Sequence, residues 1–230
     1  LTEETPRTLG ATDVLLRLGA GGICGSDLHY YFEGRNGAFE VREPMTPGHE
    51  MSGVVDLDPS GTYAPGTPVT IAPATFGTEV PGAEGRPYLW PGGSYLGSAG
   101  TWPHTQGGMS EYHVVKDFMI RVLPEGLSLR DASLAEPLAV GLHAIEMAGG
   151  VQGKKVLVTG SGPIGLLLAA GAVAKGAAEV TCTDVLDGPL ERIPVAESVT
   201  ARDQIVRTLA RTHGTHWANL RSRLPRWARR

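Results

Sequence analysis

The sequence predicts two unlike parts: a compact, barrel-like all-β domain, then the opening of a doubly wound α/β domain. Three observations carry this reading. Short β-rich runs separated by Gly and Pro fill residues 1 to about 130. A three- and four-residue apolar spacing then sets in between Asp131 and Ala148. Beyond it, a buried strand runs into a Gly-rich loop, an Ala/Leu-rich helix and a second strand.

Composition sets the frame for both parts. With 41% hydrophobic and 19% charged residues the chain is an ordinary globular one, and 32 Gly with 17 Pro supply the turns that many short strands need. A net charge of −4 points to no particular partner. Cys24 and Cys182 are the only cysteines, which implies no disulfide framework and fits a reducing compartment. The N-terminus shows no basic segment followed by an apolar run, and no stretch is long enough to span a bilayer, so no membrane partner is expected and the expected location is cytoplasmic. Leu1 is not an initiator methionine; either a short N-terminal portion is missing or the domain begins unusually early.

Taken in order, Asp13-Val14-Leu15-Leu16-Arg17-Leu18 reads as a strand heading toward Cys24. Gly48 to Asp56 places His49 and Glu50 beside a Gly-flanked strand, and residues 69–72 and 110–115 read as further strands. Leu134, Leu138, Leu142 and Ile145 give the segment from Asp131 to Ala148 one buried helical face, with Glu136 and Pro137 near its start, where both are tolerated. Residues 155–159 form a short buried strand, 160–165 a loop, the helix runs to about Lys175, and 178–184 is the next strand.

Two constellations carry chemistry. Cys24, His49 and Glu50 offer a thiolate, an imidazole and a carboxylate, a set that suits tetrahedral Zn²⁺ and leaves a fourth position open, as a catalytic zinc requires. A buried Cys with an unrelated His is the plainer alternative. The loop G-S-G-P-I-G fits an anion at a helix N-terminus. Gly160 makes the turn, Gly162 allows a pyrophosphate to approach and Gly165 allows the helix to pack on the strand, with Pro163 and Ile164 opening the helix. Asp184, at the end of the next strand, suits a ribose diol and repels a 2′-phosphate, favouring NAD over NADP. A Gly-rich turn that binds nothing is the alternative here.

The motifs G-G-I-C-G-S-D-L-H-Y-Y, P-G-H-E-M-S-G-V-V, Y-L-G-S-A-G-T-W-P-H-T-Q-G-G-M-S-E-Y and A-E-P-L-A-V, with the Gly loop and its Asp, resemble the zinc-dependent medium-chain dehydrogenases over about residues 10–192. Within that family they are similar to the polyol branch of sorbitol and L-idonate 5-dehydrogenases. The segment E-G-R-N-G-A-F-E-V-R-E-P-M looks like the latter. The resemblance implies a GroES-like catalytic zinc domain over 1–133 and a partial Rossmann NAD-binding domain over 134–192. It implies hydride transfer from a secondary alcohol of a polyol or sugar acid to NAD. Cys24, His49 and Glu50 would be the ligands of one catalytic zinc, with Glu136 an alternative or second carboxylate. Asp27 would accept from the His49 imidazole. Ser26 would touch the reacting oxygen, His29 would pass its proton outward, and Tyr30 would contact substrate. Arg35 or Arg42 would meet a sugar-acid carboxylate, ordinary surface arginines being the alternative. Relatives of this kind are homo-oligomers.

The chain departs from that pattern twice. Many relatives, though not all polyol dehydrogenases, carry a structural zinc on C-x2-C-x2-C-x7-C, a spacing that falls here on Phe76, Glu79, Gly82 and Trp90, so the second zinc is expected to be lost and Phe76 to pack on Trp90 instead. Residues 193–230 then change character, with eight Arg and no Lys against two acidic residues, where the family would continue its sheet. A reading-frame change is the expected origin of this tail. The truncated sheet predicts exposed strand edges, aggregation and weak NAD binding. The alternatives to an active dehydrogenase are a non-catalytic remnant and a binding module using the basic tail, nucleic acid being a disfavoured partner.

Overall fold

The structure, a computed structural model, describes residues 8–184. The expectations for the end of the NAD-binding segment and for the Arg-rich tail lie outside the described residues. Among those residues no helix is long and apolar enough to cross a membrane. The chain divides into two compact units between Glu136 and Pro137.

In chain order the first unit contains β1 (Asp13–Gly21), α1 (Gly25–Glu33), the hairpin β2 (Arg35–Asn36) and β3 (Phe39–Glu40), β4 (Met51–Leu57) and β5 (Pro68–Ile71). It continues with β6 (Ala74–Thr75), β7 (Ser94–Tyr95), β8 (Tyr112–Lys116), β9 (Ile120–Val122) and α2 (Leu129–Ala132). Five strands form one sheet in the order β8-β1-β4-β5-β9, every pairing antiparallel. Alternation along β1 buries Val14 and Leu16 completely, and they join Met51, Val55, Val69, Ile71, Val115 and Ile120 in one core. Covering α2 is anchored to this sheet by Ser52, whose hydroxyl donates to the Leu129 carbonyl at 2.5 Å.

The sequence pattern misses α1, because its N-cap is Cys24 rather than Ser, Thr, Asp or Asn. The signal that replaces it is Asp27 at the third helical position, whose Oδ2 accepts from the Cys24 N–H at 2.8 Å. Gly34 ends the helix in the left-handed region at φ 67° and donates back to the Tyr30 carbonyl. The continuous helix expected from Asp131 to Ala148 is two helices, α2 and α3 (Ala135–Met147). Pro137 is the reason. In an unbroken helix its missing N–H would face the Ser133 carbonyl and its ring would clash there, so the chain restarts with Pro137 in a fresh first turn.

The second unit continues with β10 (Lys155–Thr159), α4 (Pro163–Ala174) and β11 (Glu179–Thr183). The strands β10 and β11 pair in parallel, Val156 opposite Val180 and Val158 opposite Cys182, with α4 connecting them. Ile145, Val151, Val158, Ala172, Val180 and Cys182 make the core. Leu157 points to the other face of the pair and is 48% exposed.

The lobe of residues 74–95 is closed without cysteine. Pairing of β6 with β7, a bond from Thr78 N–H to the Pro91 carbonyl and the Trp90 indole donating to the Ala83 carbonyl at 2.9 Å hold it together. Phe76 is 53% exposed, so Trp90 closes the lobe through a hydrogen bond and not through the expected burial of Phe76 against it.

Candidate metal centre and Gly-rich loop

The register of β1 with β4 brings the ligand-bearing loops together. Gly21 pairs with Met51, so the chain leaving β1 toward Cys24 passes the residue that enters β4, Glu50. Gly22 donates to the Glu50 carbonyl at 2.7 Å, and a Cβ on Gly22 would lie 2.0 Å from Glu50 Oε2. Only Gly fits there while the carboxylate keeps this position. Across the gap, Cys24, His49 and Glu50 each present a donor atom, and the three atoms lie within 4.8 Å of one another. Among the described residues this is the one such cluster of three.

Asp27 ties the two loops. Its Oδ2 accepts from Cys24 N–H and its Oδ1 from Gly48 N–H at 3.0 Å, so one buried carboxylate fixes the backbone beside both ligand segments. The expected bond to the imidazole is longer than a hydrogen bond. His49 Nδ1 stands 4.0 Å from Oδ1, an ion-pair distance, because the carboxylate is already turned to the two amides.

The electrostatics fit a cation. The Glu50 carboxyl is pushed above its usual range, first by burial and next by Glu136 beside it, with Asp27 adding to the effect; His49 and a hydrogen bond to Cys24 pull the other way. A half-buried thiol beside a buried imidazole and buried carboxylates makes a set short of positive charge, and a dication supplies it. Zinc bonds of about 2.0–2.3 Å require only small side-chain adjustments from this spacing. The donor set therefore fits Zn²⁺.

The remaining predicted residues fall into distinct places. Glu136 is not in the cluster of three; its Oε1 accepts from the Tyr95 hydroxyl, and the Tyr95 ring meets His49 edge-on at 5.4 Å. Ser26 lies in the first turn of α1, two residues after Cys24, and is partly buried. His29 is exposed on α1, with Nδ1 2.8 Å from Glu33 Oε1. Tyr30 is buried, its hydroxyl accepting from Ala99 N–H at 3.2 Å and lying 3.4 Å from Ser98 Oγ, so that hydroxyl braces α1 against the 98–100 loop. Arg35 donates to the Gly37 carbonyl of its own hairpin, and Arg42 pairs with Glu40 at 3.8 Å. Tyr95 is the residue that sequence reasoning passed over. Its partner is 41 positions away, and a Tyr in a β-rich lobe carries no mark of it.

The Gly-rich loop belongs to the second unit. Gly160 turns the chain at φ 93° and donates to the Thr183 carbonyl at 2.8 Å. A Cβ on Gly165 would stand 1.9 Å from the Gly160 carbonyl oxygen, which forbids any side chain there. Gly162 caps α4 with open space at its Cα, followed by Pro163 at the first helical position and Ile164, 40% exposed. Asp184 closes the loop, its Oδ2 accepting from Ser161 N–H at 2.7 Å.

Comparison with known proteins agrees with both halves of this description. The Alcohol dehydrogenase GroES-like domain matches residues 10–125. An L-idonate 5-dehydrogenase (NAD(P)(+)) of Escherichia coli is 39% identical over 172 residues, 74% of this chain and 50% of the relative. Sorbitol dehydrogenase 1 of Saccharomyces cerevisiae is 40% identical over 185 residues, 78% of this chain and 50% of the relative. The crystal structure of L-idonate 5-dehydrogenase from E. coli superposes with a TM-score of 0.75 at 36% identity, covering 80% of this chain and 53% of that one. The chain thus spans about half the length of the curated relatives it matches. On these grounds it belongs to the alcohol dehydrogenase GroES-like domain family.

Proposed function

We propose that this chain carries the zinc-binding domain and the start of the cofactor domain of an oxidoreductase that moves hydride between a secondary alcohol of a polyol or sugar acid and NAD. The observation that carries the reading is the convergence of the Cys24, His49 and Glu50 donor atoms within 4.8 Å, with His49, Glu50 and the neighbouring Asp27 buried. Those three residues would hold one Zn²⁺, which when bound supplies a Lewis acid that eases loss of the alcohol proton. NAD, when bound, supplies the hydride acceptor.

The protein's own contribution is orientation and proton handling. Asp27 keeps the Cys24 and Gly48 backbones in place, so the thiolate and the imidazole approach from fixed directions. Ser26, in the first turn of α1, is the proposed contact for the reacting hydroxyl. His29, exposed and bonded through Nδ1 to Glu33, is the proposed exit for its proton to solvent. Tyr30 contributes to substrate binding through the wall it builds, since its hydroxyl is spent on the 98–100 loop. In the second unit, Gly160, Gly162, Pro163, Ile164 and Gly165 are the proposed pyrophosphate seat at the N-terminus of α4. Asp184 would accept from the ribose diol, favouring NAD over NADP.

The test is reduction of NAD by L-idonate and by sorbitol, with and without a chelator, on wild-type protein and on Cys24→Ser. Chelator-sensitive turnover that Cys24→Ser abolishes supports the reading. Absence of turnover on any polyol or sugar acid favours the non-catalytic alternative.

A further inference from the structure

Tyr95 ends β7 with its ring on a proposed metal ligand and its hydroxyl on a carboxylate. The ring meets His49 edge-on, and the hydroxyl donates to Glu136 Oε1. In that bond the phenol is the donor and the Glu136 carboxylate the acceptor. Glu136 in turn is close enough to Glu50 for the two carboxylates to repel each other. Yet the Glu136 carboxylate is absent from the three donor atoms that gather within 4.8 Å. A carboxylate so near a dication would be drawn onto it and would fill the position that substrate needs. Something must hold it away.

We infer that Tyr95 is a positioning residue whose hydroxyl tethers Glu136 outside the Cys24–His49–Glu50 set and so keeps a fourth ligand position open. The inference rests on the reading that those three residues hold the metal. It assigns opposite parts to two carboxylates that the sequence alone leaves interchangeable: Glu50 binds, and Glu136 is kept in reserve by a phenol. Tyr95→Phe isolates the effect, because it removes the tether and retains the ring on His49.

Co²⁺ serves as the probe, since its visible bands report the ligand set, and azide titration reports whether a position is open. Wild type, Tyr95→Phe, Glu136→Gln and the double variant are loaded with Co²⁺, with Cys24→Ser as the control for the site. The expected result is a common spectrum and common azide affinity for wild type and Glu136→Gln. Tyr95→Phe should show shifted bands and weaker azide binding. A hydrogen bond to a charged acceptor biases such an equilibrium by roughly tenfold to a hundredfold, so the azide affinity should fall by about that factor. The double variant should regain the azide affinity of Glu136→Gln, because the intruding carboxylate is gone.

An azide affinity for Tyr95→Phe equal to that of wild type overturns the tether. A changed spectrum for Glu136→Gln also overturns it, since Glu136 would then already be a ligand; this arm decides the matter if Tyr95→Phe does not fold. Cobalt uptake that is indifferent to Cys24→Ser removes the metal reading itself, and the tether with it. Uptake that requires Cys24 while Tyr95→Phe behaves as wild type removes the tether alone.

Discussion

Replacing Asp27 with Asn should loosen the metal centre while changing almost nothing in size or shape. Asp27 is only 4% exposed, and its two oxygens serve two separate amides, Cys24 N–H at 2.8 Å and Gly48 N–H at 3.0 Å. Asn keeps one oxygen. Its NH₂ group must then face one of the two N–H donors, so a bond to a charged acceptor is lost and a buried donor is left against another donor. A hydrogen bond to a charged group is worth about 1.5–3 kcal/mol and an unsatisfied buried donor costs about 1–3 kcal/mol; with partial relaxation the expected loss is roughly 2–4 kcal/mol. Zinc affinity should fall as well, by about 10- to 100-fold, the usual effect of removing a group that orients metal ligands. Urea unfolding of the metal-free protein measures the first quantity, and competition with a chromogenic chelator the second. A destabilisation below about 0.5 kcal/mol together with unchanged zinc affinity would refute the view that this carboxylate holds the two ligand loops together.

Other perturbations read different parts of the molecule. Gly165→Ala should destabilise the second unit by about 1–3 kcal/mol, because the new methyl meets the Gly160 carbonyl oxygen and neither backbone can move aside; calorimetry and NAD-induced fluorescence change both report on it. The pH dependence of the metal-free protein follows from Glu50. Its folded pKa lies above the reference 4.5, so the stability it contributes is fully present below the unfolded pKa and is lost as pH rises through the folded one. The wild-type minus Glu50→Gln difference in urea midpoint should therefore decline with rising pH, while zinc affinity, which needs the carboxylate ionised, increases. A flat difference would remove Glu50 from the buried acidic set. Trp90→Phe should cost about 1 kcal/mol in thermal unfolding through the lost bond to Ala83, whereas half-exposed Phe76→Ala should cost less; the reverse order would contradict the account of the lobe.

What the sequence allows one to read depends on whether the interaction is local. The strands of the first unit follow from alternation and turn residues, because Val14 and Leu16 need only a buried face. The loop before α4 is legible for a similar reason: the constraint on Gly165 comes from Gly160, five residues back in the same turn. By contrast α1 hides behind a Cys N-cap, and its signal is a single Asp at the third helical position. The split between α2 and α3 was available in Pro137, but apolar spacing on both sides of it suggests one helix. Asp27 shows the limit most clearly. The sequence points to it as a partner of the ligand segment, yet which atoms it would serve depends on how Gly48 arrives from another loop, and there it binds amides in preference to the imidazole. Tyr95 could not be read at all, because its meaning lies wholly in Glu136, which folding brings from far along the chain.

Zinc stoichiometry tests the central claim most directly. Elemental analysis of the protein reconstituted with Zn²⁺ and passed through a weak chelating column should give one zinc per wild-type chain. Cys24→Ser, His49→Ala and Glu50→Gln should each lower retention, and replacing Phe76 or Trp90 in the 74–95 lobe should leave it untouched. Wild-type protein that retains no zinc, or retention indifferent to all three substitutions, would contradict the assignment of Cys24, His49 and Glu50 as the metal centre.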